Sequence, residues 1–156
     1  MIKALAITTL FTLLTFASAS IKDCGGDKAL FKVTELSQDP PSSVATGQNL
    51  SLTLKYTVSK EVIGGRAVTS VTYNYLPFKP TEENLCINTE CPITPGEHDG
   101  STWYEWPSGL SGVVDSKVEL YDLSNNLLLC INSKLTATGM KNTNQSGQIA
   151  KYLRNV

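Results

Sequence analysis

The stretch Asn49-Leu50-Ser51-Leu52-Thr53-Leu54-Lys55-Tyr56-Thr57-Val58-Ser59 decides the fold. Every second residue from Leu50 to Val58 is apolar or aromatic, and the residues between them are serine, threonine or lysine. A period of two places successive side chains on opposite faces of a β-strand. The segment therefore predicts a strand with one buried and one solvated face, which is typical of antiparallel sheets.

Other segments repeat this pattern less clearly, and no segment predicts a convincing helix. Turn residues separate these segments at short intervals, and Leu123-Ser124-Asn125-Asn126 is a hairpin turn signal. The sequence predicts six or seven strands and an all-β, two-sheet antiparallel sandwich. The further predicted strands are Leu30–Leu36, Arg66–Leu76, Thr102–Trp106, Val113–Leu123 and Asn126–Ala137.

The first residues indicate export. Lys3 precedes an apolar run from Ala4 to Phe16, and Ala17-Ser18-Ala19 is an A-x-A cleavage signal. We expect residues 1–19 to be a secretory signal peptide, with an uncleaved anchor as the alternative. Residues 20–138 then form one β-domain and residues 139–156 a polar tail, in a protein that is secreted or delivered to the endosomal or lysosomal lumen.

Four cysteines lie in the exported part, at Cys24, Cys86, Cys91 and Cys130. An even number in an oxidising compartment predicts two disulfides, and three pairings are compatible with the sequence. Cys86 and Cys91 share a Pro-flanked loop and could close a small ring, which would leave Cys24 to pair with Cys130. A metal site is not expected, because there is no Cys-x-x-Cys pair and His98 is the single histidine.

The charge and the absence of known motifs argue against several classes of function. The formal net charge is −1 and no arginine-rich face is evident, so nucleic acid is not an expected partner. No phosphate-binding or dinucleotide motif is present, and we expect no cofactor and no enzymatic activity. A hydrolase working through His98 is the alternative, although the stretch Gly96-Glu97-His98-Asp99-Gly100 is more typical of a solvated turn. Asn49 and Asn144 each begin an N-glycosylation triplet.

Apolar and aromatic residues are the more informative candidates. Phe78 lies between Pro77 and Pro80 in a predicted loop, where it would line the mouth of a pocket or cap one end of the sandwich. Leu110 is a lone apolar residue among Ser and Gly, which suits either a lip or an ordinary loop. A sandwich carries a ligand if its sheets stay apart, but the pattern does not separate a filled core from a hollow one. The candidate pocket residues are Leu52, Leu54, Val71, Tyr73, Phe78, Leu110, Val118 and Leu120.

The mature sequence resembles the ML lipid-recognition family, which includes secreted Niemann–Pick type C sterol-binding proteins and phosphatidylglycerol/phosphatidylinositol transfer proteins. The most specific feature of this resemblance is the Cys-x4-Cys-Pro-Ile motif, with one further cysteine near each end of the domain. The resemblance covers nearly the whole mature domain. The segments that carry it are Asp23-Cys24-Gly25, Gly47, Pro77-Phe78, Cys86 to Ile93, Trp106-Pro107, Val118 to Asp122 and Leu128 to Ile131.

The resemblance implies an immunoglobulin-like sandwich with an internal lipid cavity and the pairings Cys24–Cys130 and Cys86–Cys91. It places Phe78 at the pocket mouth and Leu110 near a second lip. The region Asp39 to Gly47 lacks a cysteine that sterol-binding members carry, and Cys91 to Gly96 is more similar to the phospholipid-transfer branch.

We therefore expect a monomer that binds a lipid, touches membranes transiently and transfers phosphatidylglycerol- or phosphatidylinositol-type phospholipids. Sterol transport and a secreted interaction module with a solid core are the alternatives.

Overall fold

The computed structural model describes residues 20–107 and 110–139. The expected signal peptide and all but the first residue of the tail lie outside them. Within this part of the chain no helix is long and apolar enough to cross a membrane. The described residues form ten strands: β1 Ile21–Asp23, β2 Lys32–Asp39, β3 Ser43–Ala45, β4 Asn49–Val58, β5 Gly65–Tyr73, β6 Leu76–Pro77, β7 Thr81–Asn84, β8 Gly96–Glu105, β9 Gly112–Asp122 and β10 Leu127–Thr138. Two single-turn 3₁₀ helices occupy Gly26–Lys28 and Leu85–Ile87.

The strands form two sheets, as predicted for a sandwich. The larger sheet has seven strands in the order β1-β10-β9-β5-β6, with β3 added alongside β10 and β7 alongside β5. The smaller sheet has three strands in the order β2-β4-β8. All neighbouring pairs are antiparallel except β3 with β10. The strand built on Asn49 to Val58 is therefore the centre of the smaller sheet.

The predicted strands are present, and two differences from the sequence expectation are informative. Gly96 to Gly100 is not a turn but the first half of β8, where its backbone pairs with Val58 to Leu54 of β4. Polar and glycine residues are tolerated there because β8 is an edge strand. The short strands β1, β3, β6 and β7 were not predicted, since two to four residues are too few to show a period of two.

The predicted hairpin turn joins β9 to β10, and Asp122 organises it. One carboxylate oxygen of Asp122 accepts hydrogen bonds from the backbone N–H groups of Ser124 and Asn126, at 2.9 and 2.8 Å. The other accepts from the Asn126 side-chain amide at 2.8 Å. These donors, the Asn126 side chain first, lower the pKa of Asp122 below its usual value. Asn125 has a φ of 66°, a left-handed conformation that asparagine tolerates better than most residues.

The buried residues form two separate clusters instead of one continuous core. The first cluster includes Phe31, Val58 and Leu128, which are 2 %, 2 % and 0 % exposed. Its other members are Ile21, Val62, Leu85, Ile93, Leu129 and Ile131. The second cluster consists of Val44, Leu50, Trp106, Leu110, Leu135 and Ala137. Strand β4 joins the two, because Leu50 lies in one cluster and Val58 in the other.

Two disulfides are present, in agreement with the sequence expectation. Cys24 pairs with Cys130 and closes a loop of 106 residues between the start of the domain and β10. Cys86 pairs with Cys91 across five residues. In the chain-entropy account a disulfide stabilises more when the loop that it closes in the unfolded chain is longer.

We predict unequal losses of stability when the two disulfides are removed. Replacing Cys24 and Cys130 by serine should lower the free energy of unfolding by about 4–5 kcal/mol, and replacing Cys86 and Cys91 by about 2 kcal/mol. Urea denaturation of the two double variants measures both values. Equal losses would contradict the loop-length explanation.

Candidate functional site

The inner face of the larger sheet follows from its register. Residues directly opposite each other on antiparallel strands share a face, and Leu120 packs against the first cluster while Val114 packs against the second. The partners of these residues and of Val118 therefore face the smaller sheet as well. On β5 the inward-facing residues are Ala67, Thr69, Val71 and Tyr73, opposite Leu120, Val118, Ser116 and Val114 of β9.

Strand β9 lies in the middle of the larger sheet, yet none of its eleven residues is fully buried. The nine residues of β5 are likewise only partly buried. On the neighbouring β10, the inward residues Leu129, Ile131 and Leu135 are 4 %, 8 % and 4 % exposed. In a filled sandwich the inner faces interdigitate and exclude solvent along every central strand. The interior is therefore fully buried at β10 and remains partly accessible at β9 and β5.

The smaller sheet shows the same accessible middle. Leu50 and Val58, at the two ends of β4, are 3 % and 2 % exposed. Leu52, Leu54 and Tyr56 lie between them on the same face and are only partly buried. These three side chains pack against the first buried cluster and still remain partly accessible, and we call the accessible interior between the two buried clusters the gap.

Three stacked rings form one wall of this gap. Phe31 and Tyr56 stack with centroids 5.1 Å apart, and Tyr56 and His98 stack at 5.4 Å. Burial raises the pKa of the Tyr56 phenol, which is therefore neutral at physiological pH. His98 Nε2 lies 2.7 Å from the carbonyl oxygen of Thr94, to which it donates. The stack extends from the core to the edge strand β8.

A buried polar residue holds the closed side of the sandwich. Gln38 of β2 is 7 % exposed, and its side-chain oxygen accepts a hydrogen bond from the Ser133 hydroxyl of β10. Its amide nitrogen donates to the Ser20 hydroxyl at 3.0 Å and to the carbonyls of Pro40 and Pro41 at 3.3 and 3.2 Å. Because buried amides need such partners, this network ties β2 to β10 and fixes the spacing of the sheets there.

The opposite side of the sandwich is its open side. Strand β8 is exposed along its length apart from His98. Across from β8, β6 and β7 form the edge of the larger sheet, and their residues are also exposed. Phe78 directly follows β6, donates its N–H to the Val71 carbonyl at 2.9 Å and is half-buried. It therefore continues the inner face of β5 toward the opening.

Seven of the eight candidate pocket residues are partly buried and lie on the inward-facing side of β4, β5 or β9, or directly after β6 at Phe78, whereas Leu110 is fully buried. Leu110 is 6 % exposed in the second cluster, where its carbonyl accepts a hydrogen bond from the Trp106 indole at 3.4 Å. Leu110 therefore belongs to a buried cluster and does not form a lip, which was one of the two roles that the sequence predicted for it. Ser108 and Gly109 of that lip are outside the described residues. Tyr73 is fixed by a hydrogen bond from its hydroxyl to the Ser111 carbonyl at 2.7 Å.

Sequence reasoning did not single out several residues of this site. Tyr56 was identified only as part of the alternation of β4, and Ala67, Thr69 and Ser116 are small or hydroxyl-bearing side chains that do not stand out as pocket residues. Register would have identified them, since each lies opposite or beside a residue that was predicted. Gln38 carries no signal that distinguishes it from the polar residues around it.

The gap is better suited to binding an apolar ligand than to catalysing a reaction. Its walls are aliphatic and aromatic with a few hydroxyl groups, and such surfaces bind hydrocarbon through desolvation. Glu97 and Asp99 flank His98 on β8 and therefore project to the other face of the sheet. Among the residues that the structure describes, no group of three or more His, Cys, Asp or Glu side chains could hold a metal ion.

These features define a two-sheet β-sandwich with closed ends and an accessible apolar middle. The sequence model of the ML domain matches residues 18–137, and the chain belongs to the ML-domain family. Two Dictyostelium discoideum proteins are 28 % and 26 % identical over 125 residues, each match covering 78 % of this chain and 82 % of the relative. Both are provisionally named phosphatidylglycerol/phosphatidylinositol transfer proteins, numbers 1 and 3.

A solved structure agrees with this assignment at the level of the fold. The crystal structure of a Niemann–Pick type C2 protein from the Japanese carpenter ant superposes with a TM-score of 0.55 at 14 % identity. The match covers 76 % of this chain and 98 % of the ant protein. The family expectation from the sequence is therefore confirmed.

The gap predicts unequal losses of stability when the side chain is enlarged at two paired positions. Val118 and Ile131 lie opposite each other on β9 and β10, but Ile131 is 8 % exposed whereas Val118 is only partly buried. Overpacking a filled core costs about 1–3 kcal/mol. We expect Ile131→Phe to lose stability in this range, and Val118→Phe to lose less than about 0.5 kcal/mol. Chemical denaturation compares them, and equal losses would indicate that the interior at Val118 is filled.

Proposed function

We propose that this ML-domain protein binds a lipid between its two sheets and transfers it between membranes. The single observation that carries the proposal is the accessible middle of β4, β5 and β9 between two buried clusters. The names of the Dictyostelium relatives support phospholipids of the phosphatidylglycerol or phosphatidylinositol type as the cargo. Transfer of this kind needs no covalent chemistry and no cofactor.

The affinity for such a lipid comes from the apolar walls. Each CH₂ group that leaves water contributes about 0.8 kcal/mol, so an acyl chain of ordinary length supplies ample free energy for capture. Leu52, Leu54, Val71, Val118 and Leu120 are the proposed chain-contacting residues.

The head group stays at the open side because burying a phosphate without counter-charges is costly. Lys79 is exposed directly after Phe78 and is available to a phosphate at this side. Lys60 is also exposed and lines a pocket of about 210 Å³ beside Phe31 and Val62, whose lining includes none of the proposed chain-contacting residues. We therefore assign the head-group contact to Lys79.

The proposal includes the setting in which the protein works. Two disulfides favour an oxidising compartment, which agrees with a cleaved signal at residues 1–19 and a secreted or endosomal–lysosomal location. The mature domain is residues 20–138, acting as a monomer. Asn49 is exposed at the start of β4 and accessible to glycosylation, whereas Asn144 lies outside the described residues.

Phe78→Ala tests the proposed mouth. Phe78 continues the inner face at the edge of the gap, so its loss should weaken the seal between bound hydrocarbon and water. We expect the rate of transfer of fluorescent phosphatidylinositol between vesicles to fall about tenfold, which corresponds to about 1.4 kcal/mol. The melting temperature should change little, because the side chain is only half-buried.

Ile87→Ala is the matched control, since it removes an apolar side chain that is 68 % exposed and follows β7 near the start of β5, whereas Phe78 lies near the end of β5. Its transfer rate should equal that of the unmodified protein. Wild-type transfer by Phe78→Ala would exclude Phe78 from the mouth. If the unmodified protein transfers sterol but not phospholipid, the cargo is a sterol. If it transfers neither, the result favours a non-lipid interaction module.

A further inference from the structure

The hairpin between β5 and β6 has an unusual residue at its tip. Tyr73 and Leu76 pair across a two-residue loop, and the loop residues Asn74 and Tyr75 have φ values of 47° and 69°. Two successive left-handed residues form the type I′ turn, which strongly favours glycine at the second position. A bulky residue with positive φ is a conformational outlier, and such outliers often mark functional positions.

The rest of the hairpin explains how this conformation is held. The Asn74 N–H donates to the Val113 carbonyl at 2.8 Å, and the Asn74 side-chain oxygen accepts from the Val113 N–H, also at 2.8 Å. Gly112 makes room for this clamp, because a Cβ there would lie 2.1 Å from the Asn74 side-chain oxygen. The turn is thus anchored to β9 through Asn74.

Packing does not explain the tyrosine itself. Tyr75 is 83 % exposed and the adjacent Leu76 is 67 % exposed, so little of either side chain is covered by the protein. An aromatic and an aliphatic side chain are therefore held in water at the end of a rigid hairpin. Tyrosine is enriched at membrane–water interfaces, where its ring meets hydrocarbon and its hydroxyl stays hydrated.

We propose that the tip Tyr75-Leu76 inserts into the interfacial region of a phospholipid bilayer and orients the open side of the sandwich toward the membrane. This inference rests on the proposed lipid-transfer function. The hairpin is continuous with the mouth, because Phe78 lies two residues beyond Leu76 and is bonded to Val71 on the inner face of β5. Trp103, which is 71 % exposed, lies near the same end of the smaller sheet, opposite Ser51.

Charge and size favour a bilayer over a protein partner. The segment Tyr73 to Pro80 contains Lys79 and no carboxylate, so it does not repel anionic lipid head groups. Two side chains bury a few hundred Å² at most, whereas a stable protein interface needs about 800 Å² from each partner. A bilayer can accept two inserted side chains without a large flat contact.

A second group of exposed aliphatic residues provides a matched comparison. Ile63, Ile87 and Leu123 are 68 %, 68 % and 71 % exposed, and Ile63 and Leu123 lie near the opposite end of β5 and β9. Leu123 directly follows Asp122, whose lowered pKa keeps its carboxylate charged. A charged carboxylate beside Leu123 disfavours insertion into an anionic surface.

Vesicle co-sedimentation tests the tip. The double variant Tyr75→Gly/Leu76→Ser should bind vesicles of equimolar phosphatidylcholine and phosphatidylglycerol about tenfold more weakly than the unmodified protein. Leu123→Ser, which removes a leucine of similar exposure, should bind within about twofold of it. Tyr75→Gly alone should weaken binding while leaving the melting temperature unchanged or higher, because glycine adopts a positive φ without strain.

The outcomes separate this inference from the proposed function when the bound lipid of each variant is measured by native mass spectrometry. The double variant should retain its lipid while losing vesicle binding. Equal vesicle binding by the double variant and the unmodified protein overturns the inference even if lipid is bound. Three other results also overturn it. They are an equal loss of vesicle binding in Leu123→Ser, no vesicle binding by the unmodified protein, and an unmodified protein that is a dimer while the double variant is a monomer. An unmodified protein that carries no lipid contradicts the proposed function instead.

Discussion

The packing of β10 against the smaller sheet holds the two layers of this protein together. Leu129, Ile131, Leu135 and Ala137 are buried along its inner face, and the Gln38–Ser133 hydrogen bond links it to β2. The Cys24–Cys130 disulfide joins the start of the domain to the same strand. Because these contacts fix one long side of the sandwich, the other side does not need interdigitated side chains to keep the fold. The accessible interior at β5 and β9 depends on this unequal division of the packing.

The two ends of the interior are closed by different means. At one end the stacked rings of Phe31, Tyr56 and His98 extend from the buried core to the edge strand β8. At the other end Trp106 and Leu110 pack with Leu50 and Leu135. Hydrocarbon between these ends would meet apolar walls on both sheets, while a polar group would remain at the open side between β8 and β6. The same arrangement accounts for an exposed hairpin tip at Tyr75, which extends the sheet beside that opening.

The sequence was sufficient for the class of fold and for most inward-facing residues. The alternation in β4 predicted that Leu52 and Leu54 share a face, and the same period in β5 and β9 selected Val71 and Val118. It did not predict the gap, because alternation is identical whether the opposing sheet lies in contact or apart. It misjudged Gly96 to Gly100, since the backbone partners in β4 that make this segment a strand are more than 35 residues away in the chain. It also placed Leu110 at a lip, because its buried partners Val44 and Leu135 come from distant strands.

The central claim is that the interior between β4 and β9 holds a lipid. Native mass spectrometry of the intact protein, purified without detergent and compared with the same sample after organic extraction, tests it most directly. The account predicts one dominant additional mass that matches a single phospholipid and disappears on extraction, with the protein still folded afterwards. A single unliganded mass before extraction, in a protein offered phospholipid vesicles during purification, would contradict the account.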